Sequence, residues 1–293
     1  MTLIDTAELY GDGRSEKLIG RVIAGQRDRV FLVSKVWPSH ATRSGIPRAA
    51  EASLTRLGTD HLDLYLLHWP SGITDFSGVV AGFETLRSDG RIRAWGVSNF
   101  KIKDMERLFR IPHGDRCATN QVLYNLAHRG IERDLLPWSE RHGMPVMAYS
   151  PLGGHGAKLL RDPTLASIGA AHGCSAAAVA LAWTMRSGNV IAIPESGLPA
   201  HVQENAVALS LTLTPQELQH RMPPTASEGS FFLTETGSRP MRPRKIAGIW
   251  RTTGNLVWRR TAWWGREGSN RQPDCYQQHA AAPTAGKFRL WRA

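Results

Sequence analysis

Along the first 218 positions, short apolar runs alternate with longer amphipathic stretches. The runs at 2–5, 30–36, 62–69, 92–98, 118–124, 145–150 and 190–194 read as strands. Between them, 15–24, 46–57, 79–87, 102–109, 131–141, an Ala-rich stretch at 165–185 and 200–209 carry a helical period, with Leu86, Leu108 and Leu136 placed to press on a sheet. Gly90, Pro112, Gly143 and Gly188 punctuate the ends of elements. Strand and helix alternating in this way predict parallel strands joined by crossover helices.

Two architectures fit such an alternation. A doubly wound sheet calls for a glycine fingerprint after its first strand. The only approach to one is Gly154-His155-Gly156, late in the chain and with Leu159 at the third position. A (β/α)₈ TIM barrel calls for eight units. The pattern supplies seven and opens almost directly on a strand, so the expected fold is a barrel lacking its first strand–helix unit. From residue 219 the periodicity dissolves into a stretch rich in Arg, Gly, Ser, Thr and Pro that holds five of the ten tryptophans. The expected organisation is therefore a barrel over 1–218 and a tail over 219–293 without fixed structure.

Composition sharpens that division. The chain has 293 residues, 42% of them hydrophobic, enough for a sizeable core. Its net charge of +11 suggests nucleic acid until it is located. Residues 219–293 hold 13 Lys and Arg against 4 Asp and Glu, so the tail carries +9 and the body only +2. No apolar run approaches the ~18 residues of a membrane span, the longest being 175–185. No cleavable leader opens the chain, which makes a cytoplasmic protein the expectation. Cys117, Cys174 and Cys275 are widely spaced, against both a disulfide framework and a cysteine-based metal site.

Ionisable and polar residues recur where the strand-like runs end: Asp5, with Tyr10 in the following loop, then Lys35, His68, Ser98 with Asn99, and Asn120 with Gln121. In a barrel those ends gather on one face, where active sites are built. Singly, each has a bland alternative: a loop cap for Asp5, rim packing for Tyr10, a surface charge for Lys35, a core histidine for His68. Together they permit specific chemistry. A phenol has a pKa near about 10, and an adjacent ammonium lowers it. Asp5 is the available partner for a buried Lys35. Tyr10 then becomes a general acid for a developing alkoxide, with a neutral His68 orienting the carbonyl oxygen. Side chains supply no hydride, so a cofactor must. No metal-ligand spacing or Ser-His-Asp set competes.

The segments DTAELYGDGRSE (5–16), VFLVSKVWP (30–38), LDLYLLHWP (62–70), WGVSNF (95–100), NQVLYN (120–125) and AYSPLGG (148–154) resemble the aldo-keto reductase family, in order, over about residues 2–218. The resemblance implies an NADP- or NAD-dependent oxidoreductase that reduces aldehydes or ketones. It implies a catalytic tetrad of Asp5, Tyr10, Lys35 and His68. Ser98, Asn99 and Gln121 match positions that bind the nicotinamide carboxamide, and Tyr149 matches the aromatic under the nicotinamide ring. Ser150, Leu152 and Gly154 match the pyrophosphate loop. Ser196 falls with the cofactor-binding set, and Glu204 and Asn205 match adenine contacts. Trp37 and Trp69, beside Lys35 and His68, are expected pocket walls for a small carbonyl substrate.

Three departures from the family pattern accompany the resemblance. Glu195 and His201 stand where NADP-preferring members carry a Lys and an Arg, an arrangement that weakens the grip on a 2′-phosphate. Lys158 is the basic residue that would compensate. Relatives also carry a strand and helix before the DTAxxYG motif, and they end differently after 209–218. A reading-frame slip near Gln219 is the expectation there. Two other readings compete: a catalytically dead, truncated relative, and a binding module in the tail. In the latter, 258–266 interleaves Trp with Arg as single-strand nucleic-acid sites do.

Overall fold

The computed structural model describes residues 3–154 and 158–219. The expectations for the tail, including its tryptophan–arginine stretch, lie outside the described residues. Seven strands, β1 (Leu3–Asp5), β2 (Phe31–Val36), β3 (Leu62–Leu67), β4 (Ile92–Ser98), β5 (Asn120–Leu123), β6 (Val146–Tyr149) and β7 (Val190–Ile193), form one parallel sheet. Their spatial order is their sequence order, the order of a (β/α) barrel, and β1 and β7 are its two edges. The expected barrel short of one strand–helix unit is what the described residues form.

The sheet is buried on both faces, which is why its strands read as continuous apolar runs. Leu3, Phe31, Val33, Leu64, Leu66, Ala94 and Met147 form one buried cluster, with Ile191 and Ile193 packed against it. Ile4, Leu32, Tyr65, Leu67, Trp95 and Val97 belong to a second cluster with the helices. Period 2 extends the first row to Asp5, Lys35, His68, Ser98 and Tyr149 at the C-terminal ends of their strands. Gly96 sits in the same row between Ala94 and Ser98. A Cβ there would stand 2.6 Å from Thr119 O, so only glycine lets β4 and β5 approach so closely.

The helices that cover the sheet are α1 (Arg14–Ile23), α2 (Gly45–Leu57), α3 (Phe76–Ser88), α4 (Ile102–Phe109), α5 (Leu135–Arg141), α6 (Pro163–Ala171), α7 (Ala176–Met185), α8 (Pro199–Ala206) and α9 (Pro215–Gln219). The Ala-rich stretch expected as one helix is two, bent by 92°. Gly173, with φ 63, turns the chain, and Ser175 accepts from Ala178 N to start α7. Helix α3 begins three residues earlier than its periodicity suggests, because Asp75 accepts from Ser77 N and Gly78 N. Among the described residues no single helix is long and apolar enough to cross a membrane.

Candidate active site

The C-terminal mouth of the sheet brings together the side chains that lie scattered in sequence. Lys35, fully buried on β2, donates from Nζ to Asp5 Oδ2 at 2.5 Å and to Thr6 O at 2.8 Å. It reaches the Tyr10 hydroxyl at 3.4 Å, with Nζ 4.9 Å from the ring centroid. His68 follows β3 and stands edge-on to Tyr10 at 5.7 Å and to Trp37 at 5.4 Å. Its Nδ1 is buried without a hydrogen-bond partner among the described residues. Trp69, half-buried, is next in the chain.

Electrostatics assign each group a charge state. Burial disfavours the Lys35 ammonium, yet Asp5 and then Tyr10 outweigh it and hold the lysine above its ordinary value. Burial and then the Lys35 charge push His68 down to about 3, which leaves a neutral imidazole at physiological pH. Tyr10 departs from the sequence expectation of a lowered pKa. Lys35 does pull it down, but burial is the larger influence, and Asp5 and Glu195 add to it, so the phenol titrates above its ordinary value. The consequence is a tyrosine that is fully protonated at neutral pH.

A second group, neutral and rich in amides, lies beside this one. Ser98 Oγ donates to Gln121 O at 2.8 Å, and Asn99 Nδ2 donates to Ser98 Oγ at 3.0 Å and to His68 O at 3.1 Å. Tyr149 donates its hydroxyl to Asn99 Oδ1 at 3.0 Å. Gln121 Nε2 donates to Asp5 Oδ1 at 2.8 Å, joining the two groups. Asn99 and Ser150 take left-handed backbone, φ 63 and 47, a strained choice for residues other than glycine. Fully buried Asn125 holds the second of these by donating to Ser150 O at 2.9 Å.

The remaining sequence-predicted positions lie on loops and at the start of the last crossover. Leu152 packs under the loop after β6 and Gly154 is exposed there with φ 78. Ser196 Oγ sits in the turn after β7, within 3.3 Å of Leu198 N. Exposed Glu195 precedes it, and α8 carries exposed His201 and Glu204 and buried Asn205. Two residues were not singled out from sequence. Glu8 accepts from Trp37 N, and Asn125 fixes Ser150. The segments NQVLYN and DTAELYGDGRSE contain Asn125 and Glu8, but neither residue was given a role there.

One hydroxyl and two amides beside a flat aromatic ring suit a neutral carboxamide carried on a planar ring, the chemistry of a nicotinamide. A protonated phenol stands next to these groups, and comparison with known proteins identifies the family. The chain belongs to the aldo/keto reductase family, whose model matches residues 1–220. It is 52% identical over 221 residues to the methylglyoxal reductase YeaE of Escherichia coli strain K12, covering 74% of this chain and 78% of that one. An aldo-keto reductase of a Mycobacterium species, strain KMS, is 37% identical over 73% of this chain and 76% of its own. A solved aldo-keto reductase from Klebsiella pneumoniae in complex with NADPH is 45% identical, with a TM-score of 0.74 over 80% of this chain and 84% of that one. The chain is an NAD(P)H-dependent oxidoreductase that reduces aldehydes or ketones to alcohols.

Proposed function

We propose that the chain reduces a small reactive carbonyl, of the class named for its Escherichia coli relative, with Tyr10 as the proton donor. The observation that carries this reading is the Asp5–Lys35–Tyr10 chain of contacts, set against a neutral His68. Ser98, Asn99 and Gln121 hold the nicotinamide carboxamide and Tyr149 supports its ring, with Ser150, Leu152, Gly154, Ser196, Glu204 and Asn205 along the rest of the dinucleotide. When bound, the cofactor supplies the hydride to the carbonyl carbon. His68 orients the carbonyl oxygen, and Tyr10 gives its proton to that oxygen as negative charge develops there. The phenolate left behind lies beside the Lys35 ammonium, which stabilises it until a solvent proton restores the acid. Trp37 and Trp69 wall the pocket. A cytoplasmic setting belongs to this reading; among the described residues Cys117 and Cys174 are free thiols.

Tyr10→Phe tests it. Loss of the acid is expected to lower kcat by about 10²–10⁴. Quenching of tryptophan fluorescence by NADPH is expected to survive, because the hydroxyl contacts no carboxamide-binding side chain. Turnover within tenfold of the parent would remove Tyr10 from the mechanism.

A further inference from the structure

The loop after β1 does more than carry Tyr10. Glu8 donates its backbone N–H to Lys35 O at 3.3 Å, and its Oε1 accepts from the backbone N–H of Trp37 at 2.6 Å. One residue therefore brackets the end of β2 on both sides of Val36. The β1–β2 register runs to Asp5 opposite Val33, and Thr6 N to Val33 O and then Glu8 N to Lys35 O carry the main-chain bonding past it. Beyond that point the main chain turns off toward Tyr10, and the Glu8 carboxylate takes the place of a further main-chain acceptor. Trp37 is the last extended residue before a short turn over Pro38–His40. Its ring meets the His68 imidazole edge-on. The Glu8 side chain is only 11% exposed, and its other neighbour is His40 Nδ1 at 3.1 Å, on a largely exposed ring.

We propose that Glu8 is a positioning residue for the carbonyl substrate: its carboxylate fixes Trp37 against His68 and so sets the wall of the pocket. The proposal builds on the reading of Trp37 as that wall. A hydrogen bond to a carboxylate is shorter and stronger than one between neutral groups. Without it the half-buried Trp37 N–H has no acceptor and the turn is free to shift, which moves a wall that the substrate packs on in ground state and transition state alike. The Lys35 and Asp5 contacts do not pass through the Glu8 carboxylate, so the proton-delivering chain is left in place.

Glu8→Ala and Glu8→Gln, compared in the full chain with ¹⁵N-labelled tryptophan, decide the matter. In Glu8→Ala the Trp37 backbone N–H signal is expected to move upfield and exchange faster with solvent. KM for methylglyoxal should rise about tenfold, kcat should stay within about twofold, and the NADPH dissociation constant should not change. Glu8→Gln keeps an acceptor oxygen and is expected to restore both the signal and KM. An unmoved Trp37 signal in Glu8→Ala overturns the positioning role itself. A moved signal with unchanged KM overturns Trp37 as a pocket wall and leaves the contact merely structural. Equal KM in the Ala and Gln variants also overturns the proposal. If Glu8→Ala does not fold, Glu8→Asp, which draws the acceptor back by one methylene, must raise KM in the same direction, and an unchanged value there is equally fatal.

Discussion

Gln121 on β5 and Asp5 on β1 are joined across the barrel mouth, with the glutamine amide donating to Asp5 Oδ1 at 2.8 Å while Lys35 takes the other oxygen. The carboxylate is thereby held at both ends. Gln121 belongs to two sets at once, the amides that suit a carboxamide and the charges that serve Tyr10. Gln121→Leu is expected to lower kcat at saturating cofactor by about tenfold or more, besides weakening cofactor binding, because Asp5 Oδ1 loses its buried donor. Steady-state kinetics together with a cofactor titration separate the two effects. A change in affinity alone would mean that Gln121 touches Asp5 without serving it.

The neutral His68 makes stability depend on pH in a defined window. The unfolded histidine titrates near 6.5 and the folded one at about 3. Above 6.5 both states are neutral. As pH falls from 6.5 toward 3, the unfolded chain takes a proton that the folded one refuses, so stability falls, by at most about 1.4 kcal/mol per pH unit for one proton. Urea unfolding between pH 7 and 4 is expected to show this slope, and His68→Gln to flatten it. An identical slope in the variant would assign it to other groups.

Asp63 ties the opposite ends of the strands. It is buried, accepting from Arg27 Nη2 at 2.8 Å and from Leu32 N at 2.8 Å, with Arg93 Nη1 at 3.0 Å. Arg93 is 60% exposed and contributes little. Asp63→Ala leaves the buried Leu32 N–H without its acceptor and removes the counter-charge of Arg27, whose guanidinium keeps Thr59 Oγ1, Val30 O and His61 O, and is expected to cost about 3 kcal/mol. Chemical denaturation measures this. Activity per folded molecule should be preserved, since the residue sits at the far end of β3 from His68.

Glu195 is expected to weigh on cofactor choice. The carboxylate stands exposed just after β7 and is felt at Tyr10. Placed as the family resemblance implies, it repels a 2′-phosphate. Comparable NADPH and NADH dissociation constants are expected, and Glu195→Lys should tighten NADPH about tenfold or more while leaving NADH nearly unchanged. A strong NADPH preference in the parent chain would show that Lys158 or another cation compensates.

Most of the strand positions were legible in the sequence because burial on both faces enforces apolar runs, several of them with a polar residue at or near the C-terminal end, as at Asp5, Lys35, His68 and Ser98. Asp5, Lys35 and His68 stood out for the same reason, as charged or polar endings to apolar segments. Other features depend on contacts that no local pattern records. Alanines on both sides of Gly173 carry the helical period through the break, although Gly173 as a stop and Ser175 as a cap were there to be read. The carboxylate of Glu8 looks like any loop acid until β2 is laid beside it. The Tyr10 pKa was misjudged because the sequence shows the lysine beside the phenol but not the burial that outweighs it.

The strands are hydrogen-bonded in the order in which they are made. Each pairing joins a strand to its predecessor in the chain, which keeps the contacts of the ladder as local as a parallel sheet allows. The contact between Asp5 and Lys35 spans 30 residues of chain, whereas the bond from Gln121 to Asp5 spans 116 and needs every strand from β1 to β5 in its place. Closing the longer loop costs more chain entropy than closing the shorter one. A disturbance in any strand from β1 to β5 therefore reaches the mouth through this long-range contact.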